Sequence, residues 1–128
     1  MGLEISAGNA GGTPLFVLTG ELDIYTVPRF RQAVEEVLQD APRIALDLRD
    51  VALVDSSGLG ALLRLAETDG RVRPVVLLCK GPLIPRLLEL TQLADRFIVV
   101  SGIDGITAAF DAASQRRDPD LAVGTEAS

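Results

Sequence analysis

Asp55-Ser56-Ser57-Gly58 sets two hydroxyls between a carboxylate and a glycine, just where Leu59, Leu62, Leu63 and Ala66 begin a helical spacing. Ser or Asp at a helix start ordinarily caps it, its side-chain oxygen accepting from a free backbone N–H. Two hydroxyls exceed what one cap requires, so one can cap while the other faces solvent, with Gly58 leaving the approach open. A phosphate on the exposed hydroxyl would lie against the positive end of the helix dipole and could be held without unfolding. It would bring about −1.5 to −2 units of charge beside Asp55, and near Asp23 or Glu21 if their loop converges on this one. The change would be felt mainly by a docked partner, so phosphorylation here reads as a switch on binding.

Other chemistry is scarce. The sequence has no His, which removes Ser-His-Asp triads, His-ligated metals and imidazole acid–base catalysis together. Its single cysteine, Cys79, closes the apolar run Val75-Val76-Leu77-Leu78 and reads as a small core residue. Asp55 to Gly60 lacks the lysine and spacing of a phosphate-binding P-loop, and Ser56 does not sit in a Gly-x-Ser-x-Gly elbow. No catalytic residue, cofactor or metal is expected. With 12 basic against 18 acidic residues, the net charge of −6 gives nucleic acid no electrostatic purchase. No apolar run has the length of a membrane span, and Met1-Gly2-Leu3-Glu4 has neither the basic nor the apolar part of a secretion signal. No membrane association and a cytoplasmic location are the expectation.

The length of 128 residues suits one domain, and 48% apolar residues suit a packed core. Residues 3–7 alternate weakly, the Gly-rich segment 8–12 breaks them, and residues 14–19 read as a second strand, antiparallel to the first. Val27, Phe30, Val34, Val37 and Leu38 mark a first helix, with Pro28 in its first turn. A strand over 43–48 precedes the Asp55 loop; the helix that follows runs until Gly70 closes it. Residues 74–79 read as a strand covered on both faces. Gly81-Pro82 opens a third helix with Leu83, Leu87, Leu88 and Leu90, residues 97–100 a fourth apolar strand, and Asp104 a last helix with Ile106, Ala109, Phe110 and Ala113. The order β-β-α-β-α-β-α-β-α predicts a single α/β domain with a mixed, mostly parallel sheet, the first strand antiparallel. That domain spans residues 1–114, and 115–128 lack periodicity and read as a flexible tail. In such a sheet the loops at Gly20 to Asp23, Asp55 to Gly58 and Lys80 to Pro82 gather at one edge.

Two blocks, Leu18-Thr19-Gly20-Glu21-Leu22-Asp23 and Leu46-Asp47-Leu48-Arg49-Asp50-Val51-Ala52-Leu53-Val54-Asp55-Ser56-Ser57-Gly58-Leu59-Gly60-Ala61-Leu62, resemble the bacterial anti-sigma factor antagonists built on the STAS domain. The resemblance runs from about residue 15 to residue 110. It implies the same α/β order and a partner-switching role. The unphosphorylated antagonist would bind an anti-sigma factor that is also a serine kinase of the histidine-kinase-like ATPase class, freeing its sigma factor. The kinase would then phosphorylate the first serine of the pair, here Ser56, and a metal-dependent serine phosphatase would reverse this.

On that resemblance Ser56 is the phosphoacceptor and Ser57 a neighbouring cap or hydrogen-bonding hydroxyl. Glu21, Asp23 and Asp55 offer carboxylates to the kinase, while Gly58 and Leu59 supply close approach and an apolar contact. Leu59 suits the core equally well by its spacing, Asp23 suits a cap of the first helix, Glu21 a solvated loop charge, and Asp47 a structural role. A STAS-like scaffold in a larger signalling assembly keeps the same fold, and a nucleotide-binding role is a further alternative. Solution mass separates the scaffold, a large assembly, from the switch, a monomer when free.

Overall fold

The computed structural model describes residues 2–38, 41–68 and 70–110. The tail expected over 115–128, and the domain boundary before it, lie outside the described residues. Strands β1 (Leu3–Ala10) and β2 (Thr13–Leu22) pair antiparallel, from Leu3 opposite Gly20 to Ala10 opposite Thr13. Only Gly11 and Gly12 make the turn, at φ +60 and +89, the left-handed pair that a tight two-residue hairpin requires. Asn9 Oδ1 accepts from the Gly12 N–H at 2.7 Å. β1 therefore runs three residues beyond the strand expected from the Gly-rich composition of 8–12.

Helix α1 (Val27–Leu38) leads to β3 (Ile44–Val54), α2 (Ser56–Ala66) to the short pair β4 (Glu67–Thr68) and β5 (Arg71–Val72), and then β6 (Val75–Leu78), α3 (Leu83–Leu90) and β7 (Ile98–Val100) follow. A last helix, α4, is described over 104–110. The main sheet has the order β1-β2-β3-β6-β7, parallel throughout except for β1. From β2 onward each strand is added on the same side. That keeps the three crossover helices on one face.

Strand alternation sorts the core. Ile44, Leu46 and Leu48 point into the cluster with Phe30 and Val34 of α1, Leu62 of α2 and Leu88 of α3, all almost fully buried. Ala45 points the other way, packing with Leu15, Val76, Ile106 and Phe110 under α4. Each large side chain buried this way contributes about 1.5–3 kcal/mol. All four residues of β6 are buried, as its unbroken apolar run predicts.

Two elements differ from the sequence expectation. β3 extends to Val54 instead of ending near Leu48, because β2 continues alongside it through register shifts after Val17 and Gly20. α2 stops at Ala66 instead of running to Gly70. Glu67 is already extended (φ −138, ψ 115), pairs with Val72 across the Gly70 turn and makes an ion pair with Arg96.

Candidate functional site

Parallel strands β2 and β3 end side by side, with Leu22 opposite Val54, and the next residue of β3's chain, Asp55, joins the two loops that leave them. Its backbone is extended (φ −93, ψ −173), which aims the carboxylate back at the helix it precedes. Oδ1 accepts from the Gly58 N–H at 2.9 Å and Oδ2 from the Ile24 N–H at 3.1 Å. The Asp55 N–H itself donates to the Leu22 carbonyl at 3.2 Å. One carboxylate thus caps α2 and pins the loop between β2 and α1, in the position where the helix dipole favours negative charge.

This assignment corrects the expectation that one serine caps. Asp55 supplies the cap, so Ser56 and Ser57 are the first two helical residues. Ser56 is exposed and Ser57 half-buried, and among the described residues neither hydroxyl has a hydrogen-bond partner. Among the described residues no basic group is hydrogen-bonded to the Ser56 hydroxyl, and both Asp55 oxygens are engaged. The hydroxyl is open to group transfer catalysed by another protein and is not activated as a nucleophile here.

Asp23 is half-buried and builds the turn into α1. Its Oδ1 accepts from the Tyr25 and Thr26 N–H groups, both at 3.0 Å, and its own N–H donates to Thr26 Oγ1 at 2.9 Å. Thr26 Oγ1 donates in turn to the Glu21 carbonyl at 2.8 Å. The reciprocal exchange between Asp23 and Thr26 has the logic of a capping box. Glu21 is half-buried beside Leu53 in register.

Gly58 and Leu59 face inward. A Cβ on Gly58 would collide with the Leu22 carbonyl oxygen and lie 3.0 Å from both its carbonyl carbon and Cγ. The close approach this glycine permits is therefore between α2 and β2, not the open approach from outside expected of it. Leu59 is buried in the main core cluster, so its side chain is not among those the edge presents.

Beyond the third loop, Lys80 and Gly81 border a cleft of about 550 Å3 with Arg49, Asp50, Cys79 and Ser101. Asp47 lies buried beside it. Arg49 donates three times to the Asp47 carboxylate, its backbone N–H to Oδ1 at 3.1 Å, Nε to Oδ1 at 3.0 Å and Nη2 to Oδ2 at 2.8 Å. Burial pushes the Asp47 carboxyl up, but the hydrogen bonds and charge of Arg49 outweigh this and hold it below the usual carboxylate range. The Cys79 thiol is buried and pushed up to about 11, first by burial and then by the Asp47 charge, which leaves it protonated and unreactive at neutral pH.

Sequence reasoning passed over Ile24 and Tyr25, which are 61% and 87% exposed, and over Leu53, Leu83 and Ile103 on the same edge. A signal existed for the first two: they fall between Asp23 and Thr26, outside the spacing of the α1 stripe. Among the described residues no three His, Cys, Asp or Glu side chains gather as a metal site, and no helix is long and apolar enough to cross a membrane.

The five-stranded α/β domain thus presents, at the carboxyl edge of its sheet, an exposed serine at the start of a helix capped by Asp55. The chain belongs to the STAS domain family: the family model described as "Mlab, STAS domain" matches residues 5–104. The anti-sigma-B factor antagonist of Staphylococcus aureus is 34% identical over 87 residues, covering 66% of this chain and 81% of that protein. The protein of the same name from Listeria monocytogenes is 30% identical over 105 residues, covering 80% and 90%. The crystal structure of an anti-sigma factor antagonist from Mycobacterium paratuberculosis matches with a TM-score of 0.74 at 27% identity, covering 84% of this chain and 92% of that one. These relatives group the chain with the anti-sigma factor antagonists, regulatory binding proteins rather than enzymes.

Proposed function

We propose that this protein is a partner-switching antagonist whose unphosphorylated form binds an anti-sigma factor serine kinase of the histidine-kinase-like ATPase class and so releases its sigma factor. The kinase transfers phosphate from ATP to Ser56, the complex dissociates, and a metal-dependent serine phosphatase resets the switch. The cycle takes place in the cytoplasm. The observation that carries the reading is the exposed Ser56 hydroxyl, which has no hydrogen-bond partner among the described residues while Asp55 does the capping. The names of the Staphylococcus aureus and Listeria monocytogenes relatives support the same role.

The neighbourhood suits a switch. A phosphate on Ser56 would meet the amino end of α2, which tolerates it, so the fold stays intact. It would also stand next to the Asp55 carboxylate, so much of the added charge would be presented outward to whatever is docked. Asp23, on the loop that Asp55 pins, and Glu21, near the end of β2, are the carboxylates offered to basic groups of the kinase.

Affinity capture from lysate in ADP and in ATP, followed by phosphopeptide mapping, tests this directly. An ATPase-fold kinase retained in ADP and lost in ATP, with phosphate on Ser56, is the expected result. Tight stoichiometric nucleotide binding by the isolated chain, or retention of no kinase in ADP, overturns it.

A further inference from the structure

Between the second halves of α1 and α2 lies a groove of about 650 Å3, with Glu67 of β4 and Arg73 just beyond β5 at one end. Its floor is apolar, formed by Val34, Leu38, Ala61 and Leu65, and Arg31 and Arg64 stand with Arg73 on its rim against Glu35 and Glu67. Both glutamates have partners: Arg31 lies 3.8 Å from Glu35, and Arg96 pairs with Glu67. Among the described residues no carboxylate pairs with the half-buried Arg73. In a chain of net charge −6 the groove is a basic exception with an apolar bed.

The end of the same chain lies within reach. α4 covers the opposite face of the sheet and ends at the edge where the parallel strands begin, for the Arg43 guanidinium, just ahead of β3, lies 5.1 Å from the centre of the Phe110 ring. The groove opens at that edge too: the Ile44 N–H donates to the Pro74 carbonyl at 3.2 Å, which sets Arg73 on the segment beside Arg43. Residues 111–128 follow, outside the described residues, and include Asp118-Pro119-Asp120-Leu121-Ala122-Val123-Gly124-Thr125-Glu126. Three acidic side chains there bracket a short apolar run, opposite to the groove in charge and matched to it in polarity. Rounding the edge takes about two helix diameters, roughly 20–24 Å. The ten residues from Phe110 to Asp120 span up to about 33 Å when extended.

We propose that residues 118–126 bind in this groove, with Leu121 and Val123 on the apolar floor and Asp120 paired with Arg73, strapping α1 to α2 from outside. A surface ion pair alone is weak, so the two apolar side chains supply the affinity and Asp120 sets the register. The segment of the same chain is favoured over that of a second copy because its tether holds it at an effective concentration on the order of millimolar.

The test attaches a nitroxide to the full-length chain at Thr125→Cys and reads the loss of backbone amide signals by NMR. Cys79 is buried with its thiol protonated, and the wild-type chain treated alike checks that it takes no label. Gly12 is the control, because the β1–β2 turn lies at the same edge on the α4 side, where a Cβ on Gly11 would meet Thr107 Oγ1 at 2.9 Å. The signals of Leu38, Leu65 and Arg73 should be lost while that of Gly12 persists. Leu121→Ser should restore them, as should Arg73→Glu, and Arg73→Glu combined with Asp120→Arg should lose them again. Circular dichroism checks that Arg73→Glu folds; should it unfold, Leu121→Ser decides alone. Equal loss at Gly12 and in the groove, or loss that neither substitution relieves, overturns the proposal. So does loss in an isotope-labelled chain without nitroxide when it is mixed with an unlabelled chain that carries one, since the occupant would then be the segment of a second copy.

Discussion

Gly58 packs against the backbone of Leu22 so closely that a Cβ would have no room beside the Leu22 carbonyl. The start of α2, and with it Ser56, is thereby seated on the end of β2. Gly58→Ala should cost about 1–3 kcal/mol, the usual scale of overpacking, seen as a lower thermal midpoint. Gly60, exposed in the same helix with nothing within 4 Å of where a methyl would sit, gives the contrast. Gly60→Ala should stabilise by about 0.5–1 kcal/mol. Equal effects at the two positions would contradict this account of the seat.

Asp23 carries a structural duty and a proposed electrostatic one, and two substitutions separate them. Asp23→Asn keeps an oxygen to accept from the Tyr25 and Thr26 N–H groups while removing the charge. It should unfold near the wild-type midpoint yet bind the kinase more weakly. Asp23→Ala should lose both, with about 1 kcal/mol of stability gone as for a lost cap. Urea unfolding alongside calorimetry checks the pair.

The Asp55 carboxylate accepts from two N–H groups, those of Gly58 and Ile24. Asp55→Ala should cost about 0.5–2 kcal/mol and speed hydrogen exchange at both amides. An asparagine has one accepting oxygen, and its NH2 would face the other N–H. Asp55→Asn should therefore preserve protection at one amide only. Full protection at both in Asp55→Ala would show that the two loops are held by something else.

Asp47 sets an acid limb of stability. Its ordinary value is 3.8, and the folded value lies lower despite burial, because Arg49 holds the charged form. Between the two values the unfolded chain binds the extra proton, so unfolding free energy rises with pH there. The contribution is complete above the unfolded value and is lost as pH falls through the folded one. Urea midpoints measured from pH 2 to 6 should show a shallower acid slope in Asp47→Asn than in wild type.

What the sequence made legible follows from locality. The α1 stripe of Phe30, Val34 and Leu38 and the unbroken β6 run were readable because each reports burial through its own spacing. The β4–β5 hairpin was not, since two-residue strands carry no period and Glu67 leaves the helix to pair with Val72 across a tight turn and with the distant Arg96. At the site, Asp55-Ser56-Ser57-Gly58 stood out by composition. That Asp55 also pins the loop before α1 was hidden, because its second oxygen accepts from the Ile24 N–H, 31 positions away. The inward role of Gly58 was hidden likewise, being set by Leu22. Leu53 reads as apolar strand whether it faces core or solvent, and only the assembled edge shows that it is exposed.

On the proposed function, charge added at Ser56 governs association. The most direct measurement of this is the affinity of the ADP-captured kinase for the chain before and after stoichiometric phosphorylation, with Ser56→Ala treated in parallel. Wild type should take one phosphate, mapped to Ser56, and lose binding, whereas Ser56→Ala should take none and stay bound in ATP. Equal affinity of the two wild-type forms, or phosphate found on Ser57 in Ser56→Ala, would contradict it.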